Sequence, residues 1–96
     1  MTDIGPVEQF TELPAEVEIA GRPFFLVQQG EGHALLLRIC PHAGGEVVDD
    51  GDELYCPHHY WRFDRASGCG IQPRDINLRV FGVTIENGRF VTEFAV

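Results

Sequence analysis

Two cysteine–histidine pairs are the residues of this sequence best suited to chemistry. Cys40 and His42 are separated by one residue, Cys56 and His59 by two, and thirteen residues lie between the pairs. Thiolate sulfur and imidazole nitrogen suit iron–sulfur clusters, zinc or copper, and do not suit calcium or magnesium. Because the two ligands of each pair are close in the chain, little loop-closure entropy opposes their meeting at one metal. The four residues therefore predict one metal centre built from two loops.

The residue types alone leave two alternatives open. Two cysteines and two histidines satisfy tetrahedral zinc, so the same four residues also suit a structural zinc module. His58 follows Cys56 with a one-residue spacing, which makes it a second candidate for the ligand after that cysteine. The colour of the purified protein separates the metals, since an iron–sulfur protein is brown and a zinc protein is colourless. We assign no role to His33 or to Cys69, which lies between two glycines.

The chain of 96 residues has the length of one domain, and we expect a single domain over residues 1–96. A metal centre would help to stabilise a core of this modest size. The sequence holds no run of about 18 apolar residues, so no membrane span is predicted. Residues 1–7 lack the basic region and the apolar stretch of a signal peptide. Three cysteines, two of them candidate ligands, argue against a disulfide scaffold, so we expect a reducing, cytoplasmic location.

The chain is strongly acidic, with a net charge of −8, seven arginines and no lysine. Nucleic acid and anionic membranes are therefore poor partners, and a protein with a basic surface is a better one. Five acidic residues between the two pairs form either a docking patch for such a partner or an ordinary solvated hairpin. They are Glu46, Asp49, Asp50, Asp52 and Glu53.

The hydrophobic pattern predicts strands throughout the chain and no helix. The strand segments are residues 7–10, 16–19, 24–28, 34–39, 46–48, 53–55, 61–64, 78–85 and 89–94. Asn87-Gly88, between the last two segments, is a strong hairpin signal. Both candidate pairs follow such segments directly, so strands lead the chain into each ligand loop. The prediction is an all-β domain of stacked antiparallel sheets with the metal centre at one tip.

The spacing C-x-H, a mid-length gap and then C-x-x-H resembles the Rieske 2Fe–2S family. Beyond the two pairs, the similarity is carried by residues 60–64, Ser67, Gly68, Pro73 and a hairpin tail at 78–94. It covers residues 32–96. The resemblance implies a Rieske-type fold in which a small cluster-binding subdomain of two loops occupies about residues 38–75, with Pro73 on a loop that covers the cluster.

The resemblance also implies the cofactor and its ligands. A Rieske-type 2Fe–2S cluster would have its buried iron held by Cys40 and Cys56 and its outer iron held by His42 and His59. Two ferric ions, two sulfides and two thiolates sum to zero charge when both imidazoles are neutral, whereas four thiolates leave the cluster doubly negative. An electron is therefore accepted more easily, and the reduction potential is higher than in all-cysteine ferredoxins.

Some positions differ from other branches of the family. Rieske proteins of cytochrome bc complexes join their ligand loops by a disulfide, whose matching positions here are Gly45 and His58, so the chain resembles the soluble, ferredoxin-like branch. High-potential members carry serine and tyrosine hydroxyls near the cluster where this chain has Trp61 and Phe63. That difference implies a potential at the low end of the Rieske range, about −150 mV. Tyr60 stands where many members have glycine, so we expect a different local backbone there.

The resemblance implies a one-electron carrier, which passes electrons from a flavin reductase to the terminal oxygenase of a bacterial ring-hydroxylating dioxygenase system. Such a component is not catalytic alone and needs no small-molecule substrate of its own. The alternative is a small electron-transfer subunit of a nitrite reductase, whose partner is the reductase large subunit. The N-terminal domain of an oxygenase is less favoured, because nothing follows Val96 in this sequence that could hold a mononuclear iron.

Overall fold

A computed structural model describes residues 2–41, 44–58 and 60–93. This part of the chain contains ten strands, one short 3₁₀ helix at Val7–Gln9 and no α-helix. The strands are β1 Thr2–Pro6, β2 Ala15–Ile19, β3 Arg22–Gln29, β4 Gly32–Leu37, β5 Val48–Asp49, β6 Glu53–Tyr55, β7 Arg62–Asp64, β8 Gly70–Gln72, β9 Val80–Glu86 and β10 Arg89–Thr92. The predicted all-β class is confirmed. Over the described residues, no helix has the length and apolar character to cross a membrane.

The strands form two antiparallel sheets. Six strands make the larger sheet in the order β1-β10-β9-β4-β3-β2, and four make the smaller sheet in the order β5-β6-β7-β8. In the chain, the whole smaller sheet lies between β4 and β9, which are hydrogen-bonded neighbours in the larger sheet. The smaller sheet and its flanking loops are therefore an insertion between two paired strands, and this insertion carries both candidate cysteines.

The two continuous apolar runs of the sequence form β3 and β4 at the centre of the molecule. These paired strands bury both of their faces, which explains why their sequences do not alternate. On one face, Phe25 and Leu36 pack in a cluster with Leu54 of the smaller sheet. On the other face, Phe24 and Leu35 pack in a second cluster within the larger sheet. The first cluster includes both candidate cysteines, so the packing that joins the two sheets also positions the site.

The turn between β9 and β10 has the geometry that Asn-Gly predicts. Asn87 and Gly88 have φ angles of 53° and 74°, and a two-residue hairpin of type I′ requires both residues in this left-handed region. Arg89 pairs with Glu86 across the turn. The hairpin prediction is confirmed as far as β10, and Phe94, the last residue of the predicted tail, lies outside the described residues.

Two short edge strands differ from the prediction. The predicted strand at residues 7–10 is wrong: a 3₁₀ helix begins at Val7, and the strand precedes it as β1. β1 is at an edge of the larger sheet, where Pro6 is tolerated, and its register shifts between Asp3 and Gly5. The pattern also misses β8, because none of the predicted strand segments covers residues 70–72. β8 is only three residues long and forms an edge of the smaller sheet.

Candidate metal centre

Both candidate cysteines are buried just beyond the ends of strands. Cys40 follows β4 and is 1% exposed, and Cys56 follows β6 directly and is 0% exposed. Both are free thiols and belong to one hydrophobic cluster with Leu54 and Phe63. Two buried sulfur donors close to strand ends, surrounded by apolar side chains, are suited to a soft metal centre shielded from water.

The two cysteine loops close on themselves with the same pair of backbone hydrogen bonds. The amide of each cysteine donates to the carbonyl five residues later, at 2.7 Å in the Cys40 loop and 2.9 Å in the Cys56 loop. The amide four residues after each cysteine donates back to the cysteine carbonyl, at 2.9 and 2.7 Å respectively. The two loops therefore hold their sulfurs on matching backbone units.

The residue that closes each cysteine loop has a left-handed backbone. The φ angle is 72° at Gly44 and 56° at Tyr60. The tyrosine thus adopts the conformation that glycine favours, at a cost of about 1–2 kcal/mol, and the expectation that its backbone differs from that of members with glycine stays a prediction. Its ring stacks in parallel on Tyr55, with centroids 6.4 Å apart and planes inclined by 6°, which offsets part of that cost.

We expect Tyr60→Gly to be more stable than Tyr60→Ala by about 1 kcal/mol, because both variants lose the ring stacking and only alanine keeps the strain. In a domain of this size the difference raises the thermal unfolding midpoint of the glycine variant by about 4–8 °C. The control is the same pair of substitutions at Tyr55, in strand β6, where alanine should be the more stable of the two. Equal midpoints for the Tyr60 variants contradict the left-handed backbone.

The histidines of the two candidate pairs, His42 and His59, lie outside the described residues. Among the residues that are described, no group of three or more histidine, cysteine, aspartate or glutamate side chains converges as a metal site. These residues do supply two buried thiols in matching loops, which fits the sulfur half of the predicted ligand set. The four-ligand assignment stays a prediction.

The residues after the second pair form a tight turn behind the cysteines. Phe63 is fully buried in the cluster that contains both cysteines, and Trp61 packs against that cluster. The Asp64 carboxylate accepts hydrogen bonds from the Ser67 amide at 2.8 Å, the Ser67 hydroxyl at 2.9 Å and the Ala66 amide at 3.1 Å. The bonds from Ser67, more than that from Ala66, lower the pKa of Asp64. The run from residue 63 to 68 is therefore structural.

The acidic hairpin between the pairs is largely ion-paired within the molecule. Asp49 accepts two hydrogen bonds from Arg65, at 2.7 and 3.0 Å, and this contact lowers the pKa of Asp49. Arg62 forms an ion pair with Glu53 and a longer one, at 3.3 Å, with Asp50. Two arginines thus lie among three of the five acidic residues. The local negative charge available for docking is smaller than the sequence suggests.

Gly45 and His58, one from each cysteine loop, are in contact. A Cβ atom on Gly45 would lie 2.4 Å from Cδ2 and 2.9 Å from Nε2 of His58, so the ring occupies the space that a side chain at position 45 would need. His58 is exposed to solvent. The contact is a pairing across the two loops that spacing along the chain does not reveal.

Pro73 lies across a surface cleft of about 640 Å³ from the second cysteine loop. The lining residues of this cleft are Tyr60, Trp61, Arg62, Gln72 and Pro73. The segment that begins at Pro73 folds closely over Gly70, where a Cβ atom would lie 2.1 Å from the carbonyl oxygen of Ile76 and 2.3 Å from that of Pro73. Position 70 therefore requires glycine.

Curated relatives of the chain include components of oxygenase systems. It is 38% identical to the ferredoxin component of the alkene monooxygenase system of Xanthobacter autotrophicus, over 53% of this chain and 45% of that protein. It is 32% identical to the oxygenase component of 3-ketosteroid-9-alpha-monooxygenase of Mycolicibacterium smegmatis, over 73% of this chain and 20% of that protein. The matched region spans less than half the length of each of these relatives.

Solved structures share the fold, and a family match adds the sequence relationship. The ferredoxin of carbazole 1,9a-dioxygenase from Nocardioides aromaticivorans IC177 superposes with a TM-score of 0.64 and 20% identity, over 95% of this chain and 94% of that one. At that identity, the superposition shows the fold alone. Residues 2–82, which include both cysteine loops, match the Rieske [2Fe-2S] domain. The chain therefore belongs to the Rieske [2Fe-2S] domain family, and membership implies a 2Fe–2S cluster of the Rieske type.

Proposed function

We propose that this protein is a Rieske-type ferredoxin, a one-electron carrier that receives electrons from a flavin reductase and delivers them to a terminal oxygenase. The observation that carries the proposal is the pair of matching loops that bury Cys40 and Cys56 in one apolar cluster. Membership of the Rieske family and the likeness to a ferredoxin component of an alkene monooxygenase system support the same function.

The proposed ligands are Cys40 and Cys56 for the buried iron and His42 and His59 for the outer iron, within a cluster-binding part at about residues 38–75. When bound, the cluster supplies reversible one-electron chemistry at a potential above that of all-cysteine clusters. Both cysteines are free, as ligation requires. Family membership favours this cofactor over the zinc module that the residue types alone left open.

The part played by the protein is to keep the cysteines dry and fixed. Val47, Leu54 and Phe63 are all 0% exposed and share the cluster of the two cysteines. The backbone hydrogen bonds within each loop, together with the strands before them, restrain the positions of the sulfurs. Because restrained ligands move little when the charge of a bound group changes, this arrangement favours rapid electron exchange.

We propose that the redox partners present basic contact surfaces and that the protein works in the cytoplasm. The net charge of −8 favours encounter with positively charged proteins, and disfavours nucleic acid and anionic membranes. Part of that charge near the site is compensated by Arg62 and Arg65. The steering effect therefore arises from the whole molecule more than from the hairpin, and should weaken as salt screens it.

Anaerobic purification and a redox titration test the proposal. We expect a brown protein with about two irons and two sulfides per chain, a rhombic electron paramagnetic resonance (EPR) signal on reduction, and a midpoint potential of about −150 mV. A flavin reductase should reduce the protein, and the oxygenase should reoxidise it. A colourless protein, or a potential well above zero, contradicts the proposal. If the protein exchanges electrons with a nitrite reductase large subunit and not with the oxygenase, it is a subunit of the nitrite reductase and the proposed partners are wrong.

A further inference from the structure

The contact between Gly45 and His58 limits the space available to a side chain at position 45. The φ angle of Gly45 is outside the positive range, so the backbone there does not require glycine. The space is limited by the His58 ring, whose Cδ2 atom would be 2.4 Å from a Cβ at that position. Packed atoms do not approach so closely, so an added methyl group must turn the exposed His58 ring away from Gly45 or displace one of the two loops. The two loops are therefore fitted to each other at this point.

Each member of the contact is coupled to one of the buried cysteines. The carbonyl of Gly45 accepts the hydrogen bond from the Cys40 amide at 2.7 Å, so a displacement of Gly45 is passed to Cys40. His58 lies two residues after Cys56, inside the turn that the hydrogen bond from Tyr60 to Cys56 closes. The contact thus connects two backbone units that are otherwise closed separately on themselves.

We propose that His58 is a positioning residue, whose ring packs on Gly45 and thereby fixes the separation of the two cysteine loops. The inference rests on the proposed function, because it takes the cluster held by these loops as given. The contact is a noncovalent link between the loops, and its partners are an exposed ring and a backbone without a side chain. The His58 ring does not belong to the hydrophobic cluster around the cysteines, so the effects of its removal can be separated from unfolding.

A double-mutant cycle on cluster-loaded protein tests the positioning role. The variants are Gly45→Ala, His58→Ala and the two combined. Gly32→Ala is the control, because a Cβ there meets nothing closer than the Gln29 carbonyl oxygen at 3.7 Å. Two quantities are measured under anaerobic conditions: the rate at which a chelator bleaches the visible absorption, and the g values and midpoint potential of the cluster.

We expect Gly45→Ala alone to accelerate cluster loss about tenfold and to shift the g values, because its methyl group breaks the packing of the His58 ring on Gly45 and strains the two loops. In the double variant no His58 ring opposes the methyl group at position 45, so cluster loss should slow to the rate of His58→Ala alone. That rate should lie between those of the wild type and of Gly45→Ala. The Gly32→Ala protein should keep the wild-type rate, g values and potential.

Two results would overturn the inference. One is that Gly45→Ala is equally damaging with and without His58, and the other is that His58→Ala retains the rate and g values of the wild type. Absence of a cluster from the wild-type protein overturns both this inference and the proposed function. If the double-mutant cycle gives the expected result but the protein exchanges no electrons with reductase or oxygenase, the proposed function alone is overturned.

Discussion

The Cys56→Ala protein should contain no iron–sulfur cluster. Cys56 is 0% exposed, and its loop contains no second cysteine that could replace it as a ligand. A single remaining thiolate cannot complete the sulfur half of the ligand set, so iron and sulfide should fall from about two of each per chain to near zero. Colorimetric iron and sulfide assays, together with the visible spectrum of anaerobically prepared protein, measure the loss.

Cys69→Ala provides the matched control for this experiment. Cys69 is an exposed free thiol, and its described hydrogen bonds use backbone atoms that alanine retains. This variant should keep the full complement of iron and sulfide. If the Cys56 variant also keeps it, Cys56 is not a ligand. If both variants lose the cluster to the same extent, the loss reflects general sensitivity of the fold.

Gly70→Ala should destabilise the protein by about 3 kcal/mol, the largest effect that we expect from a single methyl group. The added Cβ would lie 2.1 and 2.3 Å from two backbone carbonyl oxygens, those of Ile76 and Pro73, which cannot rotate away as a side chain could. The segment is also tied down by a 2.7 Å hydrogen bond from the Gly70 amide to Asn77. The thermal unfolding midpoint should fall by more than about 10 °C.

Gly82→Ala tests whether this effect is specific to position 70. Gly82 is also a strand glycine with an ordinary backbone, and a Cβ there meets nothing within 4 Å. Alanine in a strand is more favourable than glycine by roughly 0.5 kcal/mol, so the Gly82 variant should match or slightly exceed the wild type. Similar losses in both variants, or no loss in Gly70→Ala, would show that the segment from Pro73 does not lie over β8 as described.

The larger elements of the fold follow from local pattern and composition. The apolar runs of β3 and β4 and the Asn87-Gly88 turn are strong signals because burial and backbone geometry act on neighbouring residues. The edge strands β1 and β8 give weak signals, since an edge strand is short and its pairing depends on a partner distant in sequence. The 3₁₀ helix at Val7–Gln9 shows the same limit, because three residues alternate too briefly to distinguish it from a strand.

The candidate site is likewise predictable from the sequence only in part. Cysteine and histidine spacing predicts which residues could bind the metal, and the two cysteines are buried in one cluster. The sequence does not predict the left-handed backbone of Tyr60, because a bulky side chain disfavours that conformation. Only the closure of the Cys56 loop requires it. The resemblance matches Gly45 and His58 to positions that a disulfide joins in another branch, but the packing of the ring on the glycine depends on two loops that meet in space.

β4 and β9 are adjacent although roughly forty residues of chain separate them, so the polypeptide leaves and re-enters the larger sheet at nearly the same place. The entropy lost in holding such a segment by its ends changes by only about 0.6 kcal/mol when the segment doubles in length. Evolution can therefore lengthen or trim the cluster-bearing half of such a protein at little thermodynamic expense, while the six-stranded frame keeps its register.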